Sequence, residues 1–261
     1  MGVMHFDFMS DKLGYQTNIY VILPSCMEKG ESPKGILYLL HGGAGNGLDW
    51  MRNTSIERYA QPYDLAVIMP EVDGSCFYAD MKHGYPYFQY LTEEVPAAME
   101  GMLPLLRGVE KRYVAGLSMG GYGAFKWAFN KPEYFTAAAN LSGVSFVVDL
   151  MADAAHGLPG KNQMIECNWG SLEELKGSDS DSKEWIDRVA AQGTQLPKLF
   201  AGMGTEDFSY DFSKEYLAYA AEKGVEIYYE EMPGGHDWNV WDTMIQKFMA
   251  WVHQDNTSAL Q

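Results

Sequence analysis

Ser118 stands at the centre of Gly116-Leu117-Ser118-Met119-Gly120, directly after the apolar run Tyr113-Val114-Ala115. This is the G-x-S-x-G pattern of a sharp turn that lifts a serine hydroxyl clear of the chain between a strand and a helix. The glycines supply the room. A serine held in a strained backbone conformation needs neighbours without a Cβ, because the incoming strand and the outgoing helix press close on both sides. Gly121-Tyr122-Gly123-Ala124-Phe125-Lys126-Trp127-Ala128 reads as the start of that helix, with its N–H groups directed at the space above Ser118. A pattern with three fixed positions also arises by chance as a Gly-rich surface turn. The flanking strand and helix, and the partners named next, select the nucleophile reading.

A serine hydroxyl is a weak nucleophile at neutral pH and needs a base, which a third group must orient. Of the six histidines, His5, His41, His83, His156, His236 and His253, the best placed is His236. Its Gly-rich stretch Pro233-Gly234-Gly235-His236-Asp237-Trp238 joins the last expected strand to the last helix. His5 lies in an expected edge strand and His253 on the final helix, while His83 and His156 fall in loops. The orienting carboxylate should follow the strand that ends at Gly202, in Met203-Gly204-Thr205-Glu206-Asp207-Phe208. Asp207 is the choice, with Glu206 and Asp211 as rivals; Asp237 adjoins His236, but adjacent side chains in an extended loop usually diverge. The order Ser118, Asp207, His236 is that of an α/β-hydrolase triad.

A tetrahedral intermediate also needs donors for its oxyanion, and losing one costs about 3 kcal/mol. The backbone N–H of Met119 is one candidate. The other belongs to the loop after Ile36-Leu37-Tyr38-Leu39-Leu40, namely His41-Gly42-Gly43-Ala44-Gly45-Asn46-Gly47. There Gly43 is assigned, with Ala44 as the fallback, and His41 is read as a structural partner of the loop.

Leu39-Leu40-His41-Gly42-Gly43, the stretch from Gly116 to Phe125, Gly204-Thr205-Glu206-Asp207-Phe208 and Gly235-His236-Asp237-Trp238 occur together in this order. As a set they resemble the esterase D-like family of α/β-hydrolases, which includes tributyrin-type, feruloyl and acetyl esterases and S-formylglutathione hydrolases. The resemblance covers nearly the whole chain and is loose between Val144 and Gln195. It implies catalytic roles for Ser118, Asp207 and His236, oxyanion positions at Gly43 and Met119, no cofactor or metal, a small-molecule ester substrate, and often a homo-oligomer. One departure concerns the thioester branch. Those enzymes usually carry a Ser-Gly-Leu-Thr-Cys type loop where this chain has His41-Gly42-Gly43-Ala44-Gly45, so a short-chain tributyrin-, acetyl- or feruloyl-type esterase fits better.

The elements that must position these groups are legible in outline. Val3 to Phe8 and Asn18 to Leu23 alternate and predict an antiparallel pair at a sheet edge. Ile36 to Leu40 and Leu65 to Pro70 are continuous apolar runs, typical of strands covered on both faces. Strands are also expected at Tyr113 to Ala115, Thr136 to Ser142, Leu196 to Gly202 and Val225 to Glu230. Helices are expected at Trp50 to Gln61, Phe88 to Leu106 with Pro96 and Pro104 shaping its turns, Ser213 to Lys223 and Asp242 to His253. Strands alternating with helices predict one α/β domain over residues 1–261, with a mostly parallel, about eight-stranded sheet and helices on both faces. Residues 144–195 break the rhythm and read as an insertion over the strands' carboxyl ends, or as a plain surface excursion.

The chain has 261 residues, 47% of them hydrophobic, and no segment approaches the roughly 20 uninterrupted apolar residues of a membrane span. Its start shows neither a basic n-region nor an apolar core, so a cytoplasmic enzyme is expected. Cys26, Cys76 and Cys167 are odd in number and widely spaced, which supports neither a disulfide framework nor a zinc site. Asn53-Thr54-Ser55 and Asn256-Thr257-Ser258 fit a glycosylation sequon, which matters only for a secreted eukaryotic protein. With 19 Lys+Arg against 35 Asp+Glu the net charge is −16, which disfavours nucleic acid and polyanionic substrates.

Three rivals can be set against the esterase. A dinucleotide fingerprint starting at Gly43 or Gly45 lacks its third small residue, since Leu48 or Trp50 stands there. A binding protein with a vestigial triad would keep the fold without the chemistry. An acyltransferase would keep the acyl-enzyme and differ only in the acceptor. Aromatic residues in or beside the expected loops, Trp50, Phe77, Tyr78, Tyr85, Tyr87, Trp169, Phe208 and Trp238, are candidates either for pocket walls that stack on a phenolic acyl group or for ordinary packing.

Overall fold

The structure, a computed structural model, describes residues 1–153 and 160–254. Eight strands, β1 (Gly2–Met9), β2 (Gln16–Leu23), β3 (Gly35–Leu40), β4 (Leu65–Pro70), β5 (Arg112–Leu117), β6 (Ala137–Leu141), β7 (Lys198–Gly204) and β8 (Tyr228–Met232), form one sheet. Their order is β1-β2-β4-β3-β5-β6-β7-β8. β2 runs antiparallel to β1 and β4, and every other pairing is parallel. The expected mostly parallel sheet with an antiparallel N-terminal edge is therefore present.

The continuous apolar runs have a direct cause. All six residues of β3 are buried, with side chains alternating between two cores. Ile36, Tyr38 and Leu40 join Phe125, Trp127 and Phe129 of the helix Met119–Asn130 on one face. Leu37 and Leu39 join Val240, Met244 and Ile245 of the helix Trp238–His253 on the other. Register then brings the carboxyl ends of the central strands to one rim: Leu40 pairs with Gly116, Leu117 with Leu141, and Leu141 with Gly202. In open parallel sheets that rim is where ligands bind.

Several element boundaries differ from expectation, each for a local reason. The helix expected over Trp50 to Gln61 is two, Asp49–Asn53 and Ile56–Ala60. Between them Thr54 is extended, and its hydroxyl donates to Trp50 O at 2.5 Å and accepts from Ile56 N at 3.1 Å. The stretch Phe88 to Leu106 contains a π-turn, Tyr90–Glu94, ahead of the α-helix Val95–Met102, and then a 3₁₀ turn that Pro104 begins. The last helix starts four residues early, at Trp238, because Asp237 caps it through Asn239 N at 2.9 Å and Val240 N at 3.3 Å. The final strand is shifted to Tyr228–Met232.

Between β6 and β7 lie helices Val147–Ala152, Lys161–Trp169, Leu172–Leu175 and Ser182–Gln192. This segment is anchored to its neighbours. Asn168 O and Cys167 O accept from the backbone N–H groups of Lys82 and His83, while Ser180 O accepts from the Tyr122 hydroxyl at 2.5 Å. His156 and the sequon at Asn256 lie outside the described residues.

Candidate active site

Ser118 follows β5 and precedes the helix Met119–Asn130, with φ 52° and ψ −121°. A non-glycine residue at such a φ is strained, and the surroundings hold it there. Its N–H donates to Leu141 O at 2.9 Å, and its carbonyl accepts the first helical bond from Tyr122 N. The motif's glycines cannot be replaced without movement. A Cβ at Gly116 would lie 2.3 Å from Gly120 O, and one at Gly120 would lie 2.5 Å from Leu40 O.

His236 reaches Ser118 from the loop after β8. Its Nε2 lies 2.9 Å from Ser118 Oγ and its Nδ1 2.8 Å from Asp207 Oδ2. The approach of the two loops that carry His236 and Asp207 depends on Gly204, where a Cβ would sit 2.1 Å from Gly234 O. With that gap open, Thr205 N donates to Met232 O and Glu206 N to Gly234 O, both at 2.9 Å. Two aromatic rings contact the imidazole, Phe208 at 4.7 Å between centroids and Trp241, at right angles to it, at 5.0 Å.

Asp207 is 5% exposed. Burial pushes its carboxyl upward, but the hydrogen bond and charge of His236, together with two donors from Ser209, outweigh it and hold the group below its ordinary value. Those Ser209 donors are the backbone N–H at 2.9 Å and the hydroxyl at 2.8 Å, both onto Oδ1. An ionised carboxylate accepts only, so His236 Nδ1 carries the proton and Nε2 offers its lone pair to the Ser118 hydroxyl. The rivals are placed elsewhere: Glu206 and Asp211 are exposed, and Asp237 is occupied as a helix cap.

The remaining described histidines make contacts elsewhere or are exposed. His5 stacks on Tyr20 at 4.6 Å, His253 stacks on Tyr63 at 4.3 Å, and His83 is exposed. His41 is 1% exposed. It donates from Nδ1 to Gly42 O at 2.8 Å and accepts at Nε2 from Val72 N at 3.1 Å. Burial lowers its basicity.

Of the two loop N–H groups considered for the oxyanion, the fallback is engaged: Ala44 N donates to Gly74 O at 2.9 Å. Gly43 N–H and Met119 N–H make no hydrogen bond among the described residues. Met119 is the first residue of its helix, where such donors are intrinsically unsatisfied. Two aromatics weighed as pocket walls are supports instead. Trp50 Nε1 donates to Leu40 O at 3.0 Å, and the Tyr78 hydroxyl donates to His41 O at 2.9 Å. Phe77 and Trp169 are buried face to edge at 5.7 Å, Tyr87 is buried with its hydroxyl on that of Tyr15, and Trp238 packs on Trp50. Tyr85 and Phe208 are exposed. Among the described residues no cluster of three or more metal-ligating side chains occurs, and no helix is long and apolar enough to cross a membrane.

A mostly parallel α/β sheet with a strained serine between a central strand and its helix defines an α/β-hydrolase, and comparison with known proteins agrees. The Esterase family profile matches residues 10–251. The chain belongs to that family and is a carboxylic ester hydrolase. It is 29% identical to an acetyl esterase of Caldicellulosiruptor saccharolyticus, over 97% of this chain and 98% of the relative. Among solved structures, it is 33% identical to the substrate-bound fluorophosphonate-binding serine hydrolase F of Staphylococcus aureus, with a TM-score of 0.87 and 96% and 98% of the two chains covered. It is also 33% identical to the S-formylglutathione hydrolase of the same organism, with a TM-score of 0.83 and the same coverage.

Proposed function

We propose that this protein is a serine carboxylesterase for short-chain acyl esters, working through an acyl-enzyme on Ser118. The observation that carries the reading is the unbroken relay from Ser118 Oγ to His236 at 2.9 Å and from His236 to Asp207 at 2.8 Å. In the first half-reaction His236 Nε2 takes the hydroxyl proton as Oγ bonds to the ester carbonyl carbon, and Asp207 stabilises the imidazolium. Gly43 N–H and Met119 N–H receive the oxyanion. The intermediate collapses, the C–O bond to the alcohol breaks, and His236 returns the proton to the leaving oxygen. Water then repeats the sequence on the acyl-enzyme, releasing the acid and restoring the Ser118 hydroxyl. The short acyl preference draws on likeness to the acetyl esterase.

Exchanging Ser118 for Ala is expected to lower turnover of p-nitrophenyl acetate by several orders of magnitude and to abolish labelling by a fluorophosphonate. Near-normal turnover in a folded Ser118→Ala variant would refute the assignment. A thioester substrate is a second reading, favoured by the 33% identity to an S-formylglutathione hydrolase. A panel of p-nitrophenyl acetate, butyrate and octanoate beside methyl ferulate and S-formylglutathione separates the two by kcat/KM. Product ratios with and without added alcohol separate hydrolysis from acyl transfer.

A further inference from the structure

We infer that Tyr78 and His41 form a brace that aims the Gly43 N–H at the oxyanion and ties it to the nucleophile helix, making both of them positioning residues. The inference rests on the reading of Gly43 as an oxyanion donor and adds what orients it.

The argument starts from peptide planarity. In a trans peptide the carbonyl of one residue and the N–H of the next point in opposite directions. Three successive carbonyls leading to Gly43 are each held by a side-chain donor: Leu40 O by Trp50 Nε1, His41 O by the Tyr78 hydroxyl, and Gly42 O by His41 Nδ1. The last of these, with a longer bond from Gly45 N–H to the same oxygen at 3.3 Å, fixes the plane shared by Gly42 O and Gly43 N–H. With the carbonyl turned to the buried His41 ring, the Gly43 N–H must face the opposite way. On the far side, Ala44 N is bound to Gly74 O, so the next peptide cannot rotate freely either. The bond from Val72 N to His41 Nε2 makes that nitrogen an acceptor and leaves the proton on Nδ1.

Tyr78 carries the second part of the brace. Its ring lies where a side chain at position 123 would be, since a Cβ on Gly123 would come 2.4 Å from the ring. Gly123 belongs to the helix Met119–Asn130, whose first residue supplies the other proposed oxyanion donor. One side chain therefore touches the nucleophile helix with its ring and the loop before Gly43 with its hydroxyl. Tyr78 and the preceding Phe77 have φ of 47° and 46°, a region that aromatic residues seldom occupy. Such strain persists only where surrounding contacts over-determine it. Here those contacts are the hydroxyl on His41 O and the ring against Gly123.

The test is Tyr78→Phe, which keeps the ring and removes only the donor. The expected result is a fall of about ten-fold in kcat for p-nitrophenyl acetate with KM within about two-fold, because a misaimed donor is felt mainly in the transition state. Affinity for a boronic acid analogue of the tetrahedral intermediate should fall by the same factor, a readout that a purely structural tyrosine would not move. Unchanged kcat and analogue affinity in folded Tyr78→Phe, or a loss confined to KM, overturns the brace. A measurement on the unaltered protein stands beside it: ¹⁵N shifts of His41 should report the Nδ1–H tautomer, and an Nε2–H tautomer also overturns the brace. Turnover surviving in Ser118→Ala would instead overturn the underlying reading, so the two failures are distinguishable.

Discussion

Asp207→Asn offers the sharpest test of the proposed relay, because the structure determines which way the amide must point. Asp207 Oδ1 accepts two donors from Ser209, one of them a backbone N–H that cannot reverse its polarity. An asparagine at this position therefore keeps its oxygen toward Ser209 and turns its NH₂ group toward His236 Nδ1. That nitrogen must then accept, which moves the imidazole proton to Nε2, where it faces Ser118 Oγ. The base is lost although every heavy atom stays in place. In serine hydrolases of this design the wrong tautomer costs about 10⁴-fold in kcat, or about 5.5 kcal/mol of transition-state stabilisation. Steady-state turnover of p-nitrophenyl acetate at pH 8 measures it, with thermal denaturation as the check on folding. A folded Asp207→Asn variant within ten-fold of the parent kcat would refute the reasoning, as would ¹⁵N shifts that leave the proton on Nδ1.

Asp237→Ala removes the cap of the last helix and should lower stability by about 1 kcal/mol, read by urea denaturation, while turnover stays within a few-fold; a collapse in kcat without loss of stability would make Asp237 the orienting carboxylate. Gly116→Ala places a Cβ 2.3 Å from Gly120 O, so a markedly lower Tm and lost activity are expected, and a parental Tm would contradict the packing at the turn. Acidification should destabilise the protein in two windows. His41 and His253 are held by burial below the ordinary 6.5, so the unfolded chain takes up protons first and stability falls as pH drops below about 6.5. Asp207, held below 3.8, contributes fully above about pH 4 and loses its contribution as pH falls through its lower folded value. Urea midpoints from pH 8 to pH 3 test both, and midpoints that stay constant down to pH 5 would exclude neutral buried imidazoles.

What could be read along the chain was what depends on near neighbours. The G-x-S-x-G turn is legible because Gly116 and Gly120 lie two residues either side of Ser118, although only Gly116 has its close contact inside the motif, at Gly120 O, while Gly120 faces Leu40 O at the end of β3. The central strands β3 and β4 are legible because burial on both faces demands unbroken apolar runs such as Ile36 to Leu40. The start of the last helix is a local feature too, since Asp237 before an apolar stretch is a capping signal. The division of Trp50 to Gln61 into two helices turns on one threonine hydroxyl, a choice too local and too finely balanced for periodicity to register.

Other features depend on residues that meet only through the folded sheet. Chain order named Ser118, Asp207 and His236 as candidates, but their approach depends on Gly204 admitting the backbone of Gly234 between two neighbouring strands. Ala44, the fallback donor for the oxyanion, is ruled out only by the bond of its N–H to Gly74 O, across loops thirty residues apart. Trp50 and Tyr78 are open from sequence to either a pocket wall or ordinary packing, and no periodicity reveals that their donors end on the carbonyls of Leu40 and His41. Composition and short-range pattern select which residue types sit near a strand end. The direction in which a peptide N–H or a ring nitrogen points is set by hydrogen bonds between distant segments, which exist only once the chain has packed.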